Sequence, residues 1–176
     1  MEASDAKPSR LEAAKGLVRS LLRSSVASGS ADGRAEGPEG SSFSLVAAKG
    51  ASVLLAPMTE DSFAFDDALD YATSEAITSP GTDLESGIRA GLASFTPSGA
   101  QGRVLFLFTD GGELTGSGRR AGEEAASNRA RIVVVGMGGD EAALVPGPDG
   151  SPLAGPKGPV RSARDAQRLK ALAAAA

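Results

Sequence analysis

The chain has no cysteine, no histidine and no tryptophan among its 176 residues, and a single tyrosine. Without cysteine there is no disulfide and no thiolate metal site. Without histidine there is no imidazole ligand, and no Ser-His or Cys-His nucleophile pair. Chemistry is left to hydroxyls, carboxylates, amines and the backbone. Aromatic residues make up only 4% of the chain, and the lysines and arginines are scattered within a net charge of −4. A nucleic-acid surface needs a basic stripe and usually stacking rings, so nucleic acid is not expected as a partner. No apolar run is long enough to cross a membrane, and the opening MEASDAKPSR lacks the apolar stretch of a signal peptide. Large aliphatic residues and Phe are scarce too, at about a fifth of the chain, and alanine supplies much of the apolar content.

What is present suffices for one domain of ordinary size, residues 1–176. Residues 8–27 read as a helix, with Pro8 in its first turn and Leu11, Ala14, Val18, Leu21, Leu22 and Ser25 on one face. Residues 28–42 are a Gly/Pro-rich loop. Two short apolar runs, 43–47 and 52–56, flank Lys49-Gly50 and predict a β-hairpin. A helix follows over 61–73, with Phe65, Leu69 and Ala72 facing in. After a loop, Thr82 or Asp83 caps a third helix through Leu84, Ile88, Leu92 and Phe95. The unbroken run Val104 to Phe108 predicts a strand buried on both faces, and 131–136 a second. Between them, 118–130 is a helix with an alanine inner face. Residues 139–160 form another Gly/Pro-rich loop around a Pro148-Asp149-Gly150 turn between short edge strands, and 162–176 a terminal helix. Helices alternating with fully apolar strands predict a doubly wound α/β sheet, whose ligands sit at the carboxyl ends of the strands.

Three segments stand at such ends. Thr109-Asp110-Gly111-Gly112-Glu113 places a carboxylate where the chain leaves a strand, although Asp-Gly also closes ordinary turns. Ser79-Pro80-Gly81-Thr82-Asp83 places a hydroxyl and a carboxylate at a helix start, where a plain N-cap explains them equally well. Gly136-Met137-Gly138-Gly139-Asp140-Glu141 lacks the third glycine of a dinucleotide fingerprint and precedes a loop, so no nucleotide is expected. Asp66, Asp67 and Asp70, with Arg19 and Arg23, read as solvated helix faces.

The order of these pieces resembles a von Willebrand factor A (VWA) domain, and in particular the bacterial Bat type from aerotolerance operons. The likeness rests on Pro8-Ser9-Arg10-Leu11-Glu12-Ala13-Ala14-Lys15, on Pro80-Gly81-Thr82-Asp83-Leu84, and on Phe106-Leu107-Phe108-Thr109-Asp110-Gly111-Gly112-Glu113. The strand Val133-Val134-Val135-Gly136-Met137-Gly138 and the Pro148-Asp149-Gly150 turn continue it. The resemblance implies a Rossmann-like three-layer sandwich, a mostly parallel sheet flanked by helices. It also implies protein binding through a metal-ion-dependent adhesion site. In that family the site joins an Asp-x-Ser-x-Ser run after the first strand, a Thr and a further Asp; Thr82 and Asp110 match the last two. Such an oxygen set suits Mg²⁺.

The family's first strand and its Asp-x-Ser-x-Ser run have no match here. Met1 aligns with the Met that follows that run, and Ser4 and Asp5 lie beyond it. The expectation is therefore a VWA-like domain truncated at its N-terminus, its central strand missing, two strand edges unpaired and its stability low. Two ligands, Thr82 and Asp110, are too few for more than weak Mg²⁺ binding. The function expected is a protein-interaction module with an incomplete adhesion site. The alternative is a metal-free scaffold or remnant. An enzyme is not expected: a metal-assisted hydrolase on Asp110 would lack the second carboxylate set. The resembled family is membrane-anchored through flanking helices, which leaves the compartment and the partner's identity unassigned.

Overall fold

The structure is a computed structural model that describes residues 1–3, 5–27, 41–95, 102–112, 117–147 and 149–176. Ser4, Glu113, Pro148 and most of the 28–42 loop lie outside the described residues. Helix α1 spans Arg10–Ala27. The hairpin β1 (Phe43–Ala48) and β2 (Ser52–Thr59) follows, then α2 (Ser62–Asp70) and α3 (Leu84–Ser94). Strand β3 (Arg103–Thr109), α4 (Gly118–Ser127) and β4 (Ala130–Gly136) form a β-α-β unit. Four two-residue strands come next: β5 (Ala143–Leu144), β6 (Ala154–Gly155), β7 (Gly158–Pro159) and β8 (Arg161–Ser162). Helix α5 (Ala166–Ala175) ends the chain. Residues 162–165, expected within this helix, precede it instead: Ser162 pairs in β8 and Asp165 is the helix cap.

The expected mostly parallel sheet is divided. β1 pairs antiparallel with β2, and β3 pairs parallel with β4, from Arg103 opposite Ala130 to Thr109 opposite Gly136. Among the described residues, neither β1 nor β3 has a partner on its second edge. Helix α3 lies across both pairs. A side chain at Gly87 would meet Ala48 Cβ at 2.8 Å, and one at Gly91 would run into Leu105. The two glycines, one turn apart, let the helix backbone approach both sheets.

Two cores result. Ile88 of α3, Ala121 and Ala125 of α4, Ala130 and Ile132 of β4 and Leu172 of α5 form the larger, with Leu105 and Leu107 packed against it. Leu22, Ala56 and Phe65 form the smaller, joined by Val18, Phe43 and Leu45. Strand side chains alternate, so Val104 and Phe106 point away from the larger core. They are 42% and 47% exposed, as are Leu17 and Leu21 of α1 at 45% and 43%. The expectation of burial on both faces of 104–108, and of Leu21 on the inner face of α1, is thus corrected. No described element covers that side of β3. No helix among the described residues is long and apolar enough to cross a membrane.

Candidate functional site

At the end of β3 the chain turns through Asp110 and Gly111, the latter at φ 82°. The turn is closed by its own side chains. Thr109 Oγ1 accepts from the Gly111 N–H at 3.1 Å, and Asp110 Oδ1 from the Gly112 N–H at 3.2 Å. The Asp110 carbonyl accepts from the N–H of Asp165, which leads into α5, at 2.8 Å. A side chain at Gly111 would press on the Asp165 carbonyl at 3.0 Å. Asp110 is therefore fixed in position and buried.

Its second oxygen faces Arg10. Arg10 Nη1 donates to Asp110 Oδ2 at 2.9 Å and to Ser162 Oγ at 2.9 Å. Nε and Nη2 fork onto the Asp5 carboxylate at 2.7 and 2.9 Å, and Nη2 also donates to the Ser162 carbonyl at 2.9 Å. All five guanidinium N–H groups are thereby used. The side chain has no solvent exposure. Asp5 in turn accepts from the Gly139 N–H at 2.7 Å. Gly138, at φ 87°, leaves the space: a Cβ there would collide with the guanidinium. The N-terminal ammonium lies 3.6 Å from Asp110 Oδ2, and the Ser162 hydroxyl 3.3 Å away.

The electrostatics follow from this packing. The Arg10 hydrogen bonds hold the Asp5 carboxyl well below the usual carboxylate range, against the pull of partial burial. Burial would push Asp110 up. The terminal ammonium, the Gly112 N–H and Arg10 together outweigh it and hold this carboxyl below its ordinary value. Arg10 is raised by its bond to Asp5, with burial opposing.

Thr82 lies at the same end of the fold. The Ser117 N–H, at the start of α4, donates to Glu85 Oε2 in the first turn of α3 at 2.7 Å, so the starts of the two helices are neighbours. Thr82 is half-buried, in a loop pinned to the hairpin turn by Gly50 N–H to Ser79 O at 3.3 Å and Asp83 N–H to Lys49 O at 2.7 Å. Asp83, not Thr82, caps α3, accepting from the Ser86 N–H at 2.8 Å. Among the described residues no hydrogen bond joins Thr82 to Asp110, and no group of three or more acidic side chains converges as a metal site would. A divalent cation on Asp110 Oδ2 would lie against the guanidinium that already donates to it. The residues present do not fit a bound Mg²⁺.

Elsewhere the plain readings stand. Asp66 and Asp70 pair with Arg19 at 2.7 and 2.6 Å on a solvated surface. Gly138 and Gly139 serve Arg10 and Asp5. The residues that sequence reasoning missed are Arg10, Asp5 and Ser162 as a unit. The signal was legible in one respect: Arg10 falls on the stripe Ala14, Val18, Leu22, and a cation on an inner stripe requires a buried partner.

Comparison with known proteins gives a family and a fold. A family model described as von Willebrand factor type A domain matches residues 1–113. Among solved structures, an aerotolerance-related membrane protein from Bacteroides fragilis superposes with a TM-score of 0.84 at 24% identity, over 99% of this chain and 81% of that one. The conserved hypothetical protein BatB from Bacteroides thetaiotaomicron gives 0.85 at 24%, over 99% and 80%. Proximal thread matrix protein 1 from the mussel byssus gives 0.57 at 15%, over 72% and 32%. No curated protein matches.

Proposed function

The chain belongs to the von Willebrand factor type A domain family, and from that premise we propose that it is a protein-interaction module whose adhesion site is incomplete within residues 1–176. It binds its partner without a resident metal. The observation that carries this reading is the Asp110 carboxylate: it stands at the carboxyl end of β3, where this architecture presents ligands, yet its outward oxygen is engaged by Arg10. The set assigned by resemblance is reduced to Thr82 and Asp110, and Thr82 makes no bond to the carboxylate among the described residues. The edges of β1 and β3, unpaired among the described residues, fit the same reading, because an extended segment between them would join the two pairs into one sheet. No enzymatic role is proposed: among the described residues no group of three or more acidic side chains gathers at this edge.

The test is pairwise affinity against proteins encoded beside the chain's own gene, with and without a chelator. We expect saturable binding of at least one, unchanged by the chelator and weakened by substitutions at the 82 and 110–112 loops. Binding abolished by the chelator would overturn the metal-free part of the reading. Binding indifferent to both loops would move the interface elsewhere.

A further inference from the structure

We infer that Arg10 is the resident cation of this site, a guanidinium fixed in the place where the family holds a divalent metal. The inference rests on the VWA reading only for the meaning of the place; the geometry stands without it. A bound cation at the end of a strand must neutralise the buried carboxylate there, tie the surrounding loops together and leave no donor unpaired. Arg10 does all three. Its charge is set against Asp110 and Asp5. Its five N–H groups reach the N-terminal segment, the end of β3 and strand β8. Through Asp5 it also holds the loop after β4 at the Gly139 N–H.

The fit is built from both sides. Helical spacing puts Arg10 on the inner stripe of α1, with Ala14 and Leu22, rather than on the solvent side. Gly138 provides a pocket that any side chain would fill. A planar fork satisfied on every donor is also geometrically specific, which a lysine at the same position would not reproduce. Since Arg10 Nη1 and a metal would share Asp110 Oδ2, the two are mutually exclusive. The site is thus committed to an internal cation that cannot be exchanged or chelated.

The experiment is thermal unfolding of the whole chain with and without millimolar Mn²⁺, used as the probe for a hard divalent cation. For the unsubstituted chain we expect Mn²⁺ to leave Tm unchanged. Arg10→Ala should lower Tm by more than about 5 °C, since it strands two carboxylates. It also leaves Asp5, Asp110 and the Ser162 hydroxyl around a vacated space, an all-oxygen set. Mn²⁺ should therefore raise the Tm of Arg10→Ala, and adding Asp110→Asn should abolish that rise. If Arg10→Ala does not fold, Arg10→Lys replaces it: it keeps the charge, surrenders the fork, and should melt lower with no response to Mn²⁺. A Mn²⁺-dependent rise in the unsubstituted chain that Asp110→Asn removes would overturn the inference. So would an Arg10→Ala variant that melts with the unsubstituted chain. None of these readouts involves a protein partner, so they can fail or succeed independently of the interaction assay.

Discussion

Strand β3 has two unlike faces. Leu105 and Leu107 look onto Ile88, Ala121, Ala125 and Leu172, a layer in which three helices close over the strand pair. Val104 and Phe106, their immediate neighbours in sequence, are nearly half exposed, and the α1 residues Leu17 and Leu21 are exposed to a similar degree. The residue types barely differ between the faces. What differs is whether an element lies above them and whether the strand has a partner on each edge. Burial along β3 is decided by what α3, α4 and α5 reach, not by the hydrophobicity of the run.

Four substitutions sharpen that contrast. The largest loss belongs to the covered face. Ile88→Ala empties a fully buried site between two glycine contacts, and urea denaturation should register about 2–5 kcal/mol. An intermediate result comes from the adjacent pair. Leu107→Ala should cost about 2 kcal/mol, while Phe106→Ala, though it deletes the larger side chain, should cost about 1 kcal/mol or less. If Phe106→Ala proved the costlier of the two, the open face would be covered in solution. An effect as small as that of Phe106→Ala falls at the helix cap before α3. Asp83→Ala removes one acceptor for the Ser86 N–H, and the same denaturation curve should move by about 1 kcal/mol.

Much of this was legible in the sequence, and the parts that were not share a cause. Periodicity placed α1, α2, α3 and α4 and the paired strands within a few residues, because each apolar stripe is local. The Phe106 exposure was not legible, because an apolar run reports what a strand is suited to, while burial needs a neighbour. Of the pair Thr82 and Asp110 the sequence established no contact, and the described residues show none: the bond at that end of the fold runs from Ser117 before α4 to Glu85 in α3. The engagement of Asp110 was hidden by distance: Arg10 lies 100 residues away and Ser162 another 52 beyond, and no local pattern couples them. Asp83 shows the opposite case, a carboxylate whose partner is three residues on, so the sequence narrowed the cap to Thr82 or Asp83 and the structure chose the second.

The central claim is that the carboxylate at the end of β3 is held by an internal guanidinium instead of a metal. A crystal structure grown in Mn²⁺, with anomalous scattering recorded above the manganese edge, tests it most directly. The account predicts Arg10 Nη1 on Asp110 Oδ2 and no anomalous peak at that carboxylate. A peak there, with the Arg10 side chain turned away, would contradict it.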